Sequence, residues 1–153
     1  MKIKVILLLF VLSISCGFAQ KGKLASADKK YDDLSYIDAI KIYEEVAGKG
    51  YKSVDLFQKL GNSYYFNANL LEANKWYGEL FALGRDVEPE YYFRYAQTLK
   101  TFGDYAKANE YLAKFSQKTS VDNRVKIFEE NKDYLSDIKR NSGRQKIEDA
   151  GIN

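Results

Sequence analysis

Apolar and small residues recur along this chain at an interval of 34 or 35 residues. Three alanines mark the interval, and large apolar residues follow four and seven positions later: Ala39, Tyr43 and Val46; Ala73, Tyr77 and Leu80; Ala108, Leu112 and Phe115. The stretches before the last two alanines also match, in the order Phe57, Leu60, Gly61 and Tyr64 against Tyr92, Tyr95, Ala96 and Leu99. A repeat of this length predicts stacked supersecondary units.

The spacing within each unit is helical. Residues at i, i+3, i+4 and i+7, as from Phe57 to Tyr64, lie on one face of a helix. Small residues let the two helices of a hairpin approach closely, and rings fill the space around that approach. We therefore predict repeat-packing roles for Ala39, Tyr43, Leu60, Gly61, Tyr64, Ala73, Tyr77, Ala96, Leu99, Ala108 and Leu112.

Capping residues predict where four of the helices lie. Ser, Asn and Asp accept hydrogen bonds from first-turn N–H groups, proline suits the first turn, and glycine commonly follows the last. The predicted helices and their signals are Ser53 for 54–66, Asn69 for 70–83 with Gly84 as its stop, Pro89 for 89–101 and Asp104 for 105–117.

A final helix is predicted from about Val121 to Lys139. Its apolar stripe consists of Val121, Val125, Phe128, Leu135 and Ile138. No second helix of another hairpin follows it. Repeat arrays end in atypical elements that cover the last hairpin, so we predict a capping role for this helix.

The pattern resembles the tetratricopeptide repeat (TPR), which reads W-x2-L-G-x2-Y and then A-x3-F over about 34 residues. From Phe57 this chain reads F-x2-L-G-x2-Y and then A-x3-Y, and from Tyr92 it reads Y-x2-Y-A-x2-L and then A-x3-L. An earlier unit keeps the second-helix pattern from Tyr36 but lacks the Leu-Gly pair. The resemblance implies an all-α, TPR-like α-solenoid of about three helical hairpins plus a C-terminal capping helix.

The first residues differ in character from the rest of the chain. Lys2 and Lys4 precede an apolar run over 5–14, and Gly17-Phe18-Ala19 places small residues where a signal peptidase cuts. We predict a signal peptide over 1–19 and an exported protein of the periplasm or outer membrane. A run this short does not cross a hydrocarbon layer that needs about 20 residues, so no direct transmembrane span is expected.

Cys16 leaves lipidation open as an alternative. Lipoprotein signals place a cysteine after an apolar run, but Ser13 stands where such signals usually have leucine. Cleavage after Ala19 would leave no cysteine, and hence no disulfide or thiolate chemistry. Without Lys2 and Lys4 the chain has 22 basic and 21 acidic side chains, which argues against a nucleic-acid partner because nucleic-acid binding needs a basic face.

A wider resemblance covers nearly the whole chain. Four stretches resemble the N-terminal TPR region of OmpA-family outer-membrane proteins of Bacteroidetes. They are the leader ending in FAQ, the stretch YIDAIKIYEEVAGKGY, the unit LFQKLGNSYYFNANLLEANKWYGELF and the tail NSGRQKIEDAGIN. In that family, propeller-like repeats and a peptidoglycan-binding domain follow. The likeness implies a TPR-like domain over 20–140 and a linker, or the start of a following domain, over 141–153.

The sequence lacks the residue types and motifs that commonly carry catalysis or bind metals. The chain has no histidine, which is the commonest general base and a common metal ligand. Glu44-Glu45 and Glu129-Glu130 are adjacent in predicted helices, so their carboxylates diverge and read as solvated surface. No glycine-rich phosphate loop or calcium loop is present. We expect no enzyme activity, no cofactor and no metal site.

In TPR arrays the first helix of each hairpin lines a concave surface, which implies a binding groove for a protein or peptide partner in the cell envelope. The positions that fall on it are Gln58, Asn62, Tyr65, Phe66, Phe93, Gln97 and Lys100. Asn62 matches one residue of the carboxylate clamp of some TPR proteins, but Gln58 stands where that clamp has lysine, so the clamp is not expected here.

Three functional interpretations follow from these patterns. The first is a non-catalytic exported TPR scaffold that binds a partner protein at the cell envelope, as the N-terminal module of an OmpA-family outer-membrane-associated protein. The second is a structural spacer without its own ligand. The third is a glycan-binding module that uses exposed tyrosines such as Tyr65 or Tyr91.

Overall fold

Helical hairpins follow one another along the chain. The computed structural model describes residues 20–119, 121–131 and 140. Between residues 20 and 131 the described residues form seven helices and no strand. The helices are α1 (20–32), α2 (Tyr36–Gly48), α3 (Val54–Phe66), α4 (Leu70–Ala82), α5 (Pro89–Thr101), α6 (Tyr105–Lys118) and α7 (Asn123–Asn131).

The predicted caps are present. The side chains of Ser53, Asn69 and Asp104 each accept a hydrogen bond from the backbone N–H three residues later, at 3.1, 3.3 and 3.2 Å. Pro89 occupies the first turn of α5, as predicted. Helix α4 ends one residue earlier than predicted and α6 one residue later. Helix ends fray over this range because their last carbonyls lack helical partners.

The turn inside each hairpin has the same backbone conformation. Leu34, Ala68 and Gly103 adopt φ values of 59°, 59° and 78°, in the left-handed region. Each of these residues directly precedes the N-cap of the second helix of its hairpin. Only the third turn uses glycine, for which this conformation is free of steric cost. The first two hairpins are therefore closed by residues under backbone strain.

The odd-numbered helices lie side by side and are joined by side-chain hydrogen bonds. Lys59 on α3 donates to Asp28 on α1 at 2.8 Å, and Gln58 on α3 donates to Glu88 at the start of α5 at 2.8 Å. Arg124 on α7 donates to Glu90 on α5 at 2.7 Å. We call the surface formed by α1, α3, α5 and α7 the odd-helix face.

The even-numbered helices form the second layer, and the core lies between the layers. Helices α3 and α4 pack as one hairpin, and so do α5 and α6. Ten of the eleven predicted repeat-packing residues are buried: Ala39, Tyr43, Leu60, Gly61, Ala73, Tyr77, Ala96, Leu99, Ala108 and Leu112. Tyr64 is half-buried, and its hydroxyl donates to Glu44 on α2 at 2.7 Å. The repeat positions thus coincide with the contacts between helices.

The last helix differs from its prediction at its start. Helix α7 begins at Asn123, and Val121, predicted as part of its apolar stripe, is 93% exposed. Val125 and Phe128 pack against the core, as the stripe predicts. Several predictions lie outside the described residues: Leu135 and Ile138 of the stripe, the signal peptide over 1–19 with Cys16, and the linker over 141–153. Where the structure describes it, α7 covers the end of the α5–α6 hairpin.

Candidate functional site

Asn62 lies at a junction of four helices on the odd-helix face. Its amide nitrogen donates to the hydroxyls of Tyr31 at 3.0 Å and Tyr91 at 3.4 Å. Its amide oxygen accepts from the Tyr77 hydroxyl at 2.8 Å and from Arg94 at 2.7 Å. Asn62 is only 5% exposed, so these bonds satisfy a buried polar group. Asn62 is therefore enclosed at a junction between helices, and its role in binding a partner stays a prediction.

Arg94 covers the neighbouring part of the same face. Its guanidinium carbon lies 4.8 Å from the centre of the Phe66 ring and 5.9 Å from that of Tyr65. Its Nε donates to Glu90 at 3.0 Å. Phe66 remains 45% exposed, and its ring is 5.4 Å from that of Tyr36. This part of the face thus presents a ring whose position is set by a guanidinium and a second ring.

Arg124 fastens α7 to the α5–α6 hairpin. It donates to Glu90 and to Asp122, both at 2.7 Å. Its guanidinium carbon lies 4.2 Å from the centre of the Phe93 ring and 5.1 Å from that of Phe115. The hydrogen bonds from Arg124 hold the pKa of the Asp122 carboxyl below its usual range. Two carboxylates thus neutralise this guanidinium while two rings fix its plane.

A cavity of about 400 Å³ lies between α5, α6 and α7. Its apolar wall consists of Phe93, Leu112, Ile127 and Phe128. Its polar wall consists of Gln97, Lys100, Asn109, Arg124 and Asn131, and no acidic residue among those that the structure describes lines it. Three of the seven predicted groove residues, Phe93, Gln97 and Lys100, meet here. We call this cavity the α7 pocket.

Lys100 is the cation of the α7 pocket that no carboxylate offsets. Arg124 is already paired, whereas no described residue forms an ion pair or hydrogen bond with the Lys100 ammonium group. Burial lowers the pKa of Lys100, because desolvation penalises the charged form. The pocket therefore combines an apolar wall with a positive charge that has no counterion among the described residues.

The predicted groove residues fall into two groups. Gln58, Asn62, Tyr65 and Phe66 lie on α3, and Phe93, Gln97 and Lys100 lie in the α7 pocket on α5. Arg94 stands between them, and the sequence pattern missed both it and Arg124. The i, i+4 spacing of Glu90 and Arg94 was the one available signal for a paired guanidinium.

Clustered metal ligands and buried polar side chains are the two features that bear on catalysis or metal binding among the described residues. No cluster of three or more carboxylate or thiol ligands occurs among them. In the described ranges, the buried polar side chains are those of Asn62, Ser63 and Thr98. Asn74 donates to Thr98 at 3.0 Å, which joins α4 to α5 instead of activating the hydroxyl. Within this same part of the chain, no helix has the length and apolar character needed to cross a bilayer.

Comparisons with known proteins show the fold. No protein-family model matches the chain. No curated protein sequence matches it either. Among solved structures, the chain is similar to the crystal structure of PcrH from Pseudomonas aeruginosa, with a TM-score of 0.54 and 19% sequence identity over 70% of this chain and 80% of that one. The described residues form three helical hairpins and a terminal helix. Together with this similarity, that arrangement confirms the predicted all-α, TPR-like solenoid.

Proposed function

We propose that this protein is a non-catalytic, exported scaffold that binds a protein or peptide partner on its odd-helix face, at the cell envelope. The observation that carries the proposal is the α7 pocket together with the exposed ring of Phe66. Phe66 lies at the end of α3, and the α7 pocket lies between α5, α6 and α7. Each combines apolar surface with a positioned cation. Grooves between helices that mix rings with a few polar groups suit peptides.

The Phe66 region supports binding because its ring is held in place before any partner arrives. Arg94 is fixed by Asn62 and Glu90, and it holds the ring from one side. A preorganised surface loses less conformational entropy on association than a mobile one. A peptide side chain placed on this ring would bury apolar area without first ordering the site.

The cellular setting is part of the proposal. The leader over 1–19 and the resemblance to the N-terminal region of OmpA-family proteins support export and association with the outer membrane. Mass spectrometry of the N-terminus after expression in a Gram-negative host tests it. A chain that begins at Gln20 supports soluble export, a lipidated Cys16 supports anchoring, and an intact Met1 on a cytoplasmic chain would contradict export.

Selection of peptides from a random display library on the purified protein tests the binding function. We expect the recovered peptides to protect amides of α3 and α5 from hydrogen exchange. Phe66→Ser should weaken their binding. Leu71→Ser is the matched control, because Leu71 is 64% exposed but lies on α4 in the other layer. Protection confined to α2 and α4 would contradict binding on the odd-helix face.

A structural spacer is the second candidate, and Asn62 is the observation that favours it. The amide group of Asn62 is used wholly for internal hydrogen bonds that join α1, α3, α4 and α5. A spacer would yield no specific peptide from the same selection. Recovery of peptides that compete with one another for one site would exclude the spacer.

A further inference from the structure

We infer that the α7 pocket binds an acidic peptide segment, in which a side-chain carboxylate pairs with Lys100 and a neighbouring large apolar side chain enters the pocket. This inference rests on the proposed binding function and names the chemistry of the partner. Lys100 lies in the last turn of α5 and lines the pocket together with Gln97 and Phe93.

Charge complementarity identifies the polar part of the ligand. In the part of the chain that the structure describes, none of the residues that line the pocket is acidic, while two of them are cations. Arg124 already has Glu90 and Asp122 as partners, so Lys100 carries the uncompensated charge. A half-buried ammonium gains most from an anion, because charge-assisted hydrogen bonds replace the water that burial has removed. A basic or neutral segment would leave that charge unpaired.

The shape of the pocket identifies the apolar part. Leu112, Ile127 and Phe128 come from α6 and α7 and stand opposite the α5 residues. Ile127 is 60% exposed, so a ligand side chain would cover it as well. The cavity of about 400 Å³ falls in the range of preformed binding sites. Gln97 and Asn109 also line the pocket, and their side-chain amides supply donors and acceptors for a peptide backbone.

Peptide selection on the full-length purified protein provides the test. We expect enrichment of segments that pair Asp or Glu with an adjacent large apolar residue. The enriched peptide should bind Lys100→Gln at least about tenfold more weakly, as loss of one charge-assisted bond implies. Lys100→Arg should retain binding, and added salt should weaken it only where Lys100 or Arg is present. Lys75→Gln is the control, because Lys75 pairs with Glu72 on α4.

The outcomes separate this inference from the broader proposal. Peptides that bind wild type and Lys100→Gln equally well would overturn the acidic-peptide inference and leave the scaffold function standing. Enrichment of basic peptides would do the same. Failure to recover any specific peptide would overturn both. Sedimentation of the protein alone tests a second copy as the occupant: a dimer that Lys100→Gln dissociates would overturn the inference, and a monomer supports it.

Discussion

Gly61 on α3 packs directly against the ring of Tyr77 on α4. A methyl group at position 61 would overlap the Cδ1 and Cε1 atoms of that ring and lie 3.1 Å from its Cζ. Tyr77 is fully buried, and its hydroxyl is held by Asn62, so the ring has no room to withdraw. The absence of a side chain at position 61 therefore sets how closely the two helices of the hairpin approach.

Replacing Gly61 by alanine should destabilise the protein by about 1 to 3 kcal/mol, the usual cost of overpacking a core. Gly78→Ala is the matched control, since a methyl group there would meet only the Tyr95 hydroxyl, at 3.5 Å. Both glycines lie within helices, where alanine is favoured by about 1 kcal/mol. Urea unfolding should therefore show opposite signs for the two variants. Equal effects would contradict the close approach at Gly61.

Ala68→Gly should stabilise the protein by roughly 0.5 to 1 kcal/mol. The left-handed conformation costs alanine about 1 to 2 kcal/mol, and glycine avoids this cost. Part of the resulting stabilisation is lost, because glycine has a greater conformational entropy in the unfolded chain. Leu34→Gly should act in the same direction, because Leu34 is 70% exposed and contributes little packing. Gly103→Ala supplies the reverse change in the equivalent turn and should destabilise. Thermal unfolding of the three variants measures these differences.

The elements that local chemistry determines could be predicted from sequence. Ser53, Asn69 and Asp104 cap their helices through atoms three residues away, so a short window contains the whole interaction. A short window of sequence predicts the wrong start for α7. Val121 continues the apolar stripe, but α7 begins after Val121, whose side chain is exposed to solvent. Apolar character alone does not say where a helix begins.

The roles of the site residues depend on partners far along the chain. Asn62 was predicted to face a ligand, but its partners lie 15 to 32 residues away and enclose it. The same holds for Arg124, which reaches Glu90 across 34 residues. A repeat pattern assigns such residues to a face of a helix and cannot reveal which of them the neighbouring helices will cover. The separation of the predicted groove residues into a group on α3 and a group in the α7 pocket therefore depends on tertiary packing, which the repeat pattern does not contain.

Asn62→Leu should cost about 2 to 4 kcal/mol. The substitution leaves the Tyr77 hydroxyl and an Arg94 N–H without their acceptor, and each unsatisfied buried group costs about 1 to 3 kcal/mol. Asn74→Leu is the control, because Asn74 makes one hydrogen bond, to Thr98, and should cost about 1 kcal/mol. Urea unfolding at neutral pH compares them. Equal costs would show that the junction at Asn62 adds nothing beyond a single bond.

Stability should fall as the pH rises above about 10, the usual pKa of tyrosine. Burial raises the pKa of Tyr43 and of Tyr77, and a bond to Asp28 raises that of Tyr43 further. The folded state then holds protons that the unfolded state releases, so the stabilisation is complete below that pH and is lost above it. Tyr43→Phe should reduce this pH dependence of urea unfolding. Tyr51→Phe, at an exposed position, should leave it unchanged.

Arg124 should control how firmly α7 is held against the α5–α6 hairpin. Arg124→Gln removes the ion pairs to Glu90 and Asp122 and the stacking on Phe93. Partly exposed interactions of these kinds contribute about 1 kcal/mol, so opening of α7 should become roughly fivefold more frequent. Hydrogen exchange of the α7 amides measures this opening.

Arg124→Lys separates charge from shape at the same position. Lysine keeps the positive charge but cannot donate from a planar fork or stack flat on the Phe93 ring. We expect it to restore only part of the protection of α7. Lys126→Gln is the control within the same helix, because Lys126 is exposed and lies 3.9 Å from Glu130. If Arg124→Gln accelerates exchange in α3 and α4 as much as in α7, the residue stabilises the whole domain instead of fastening its last helix.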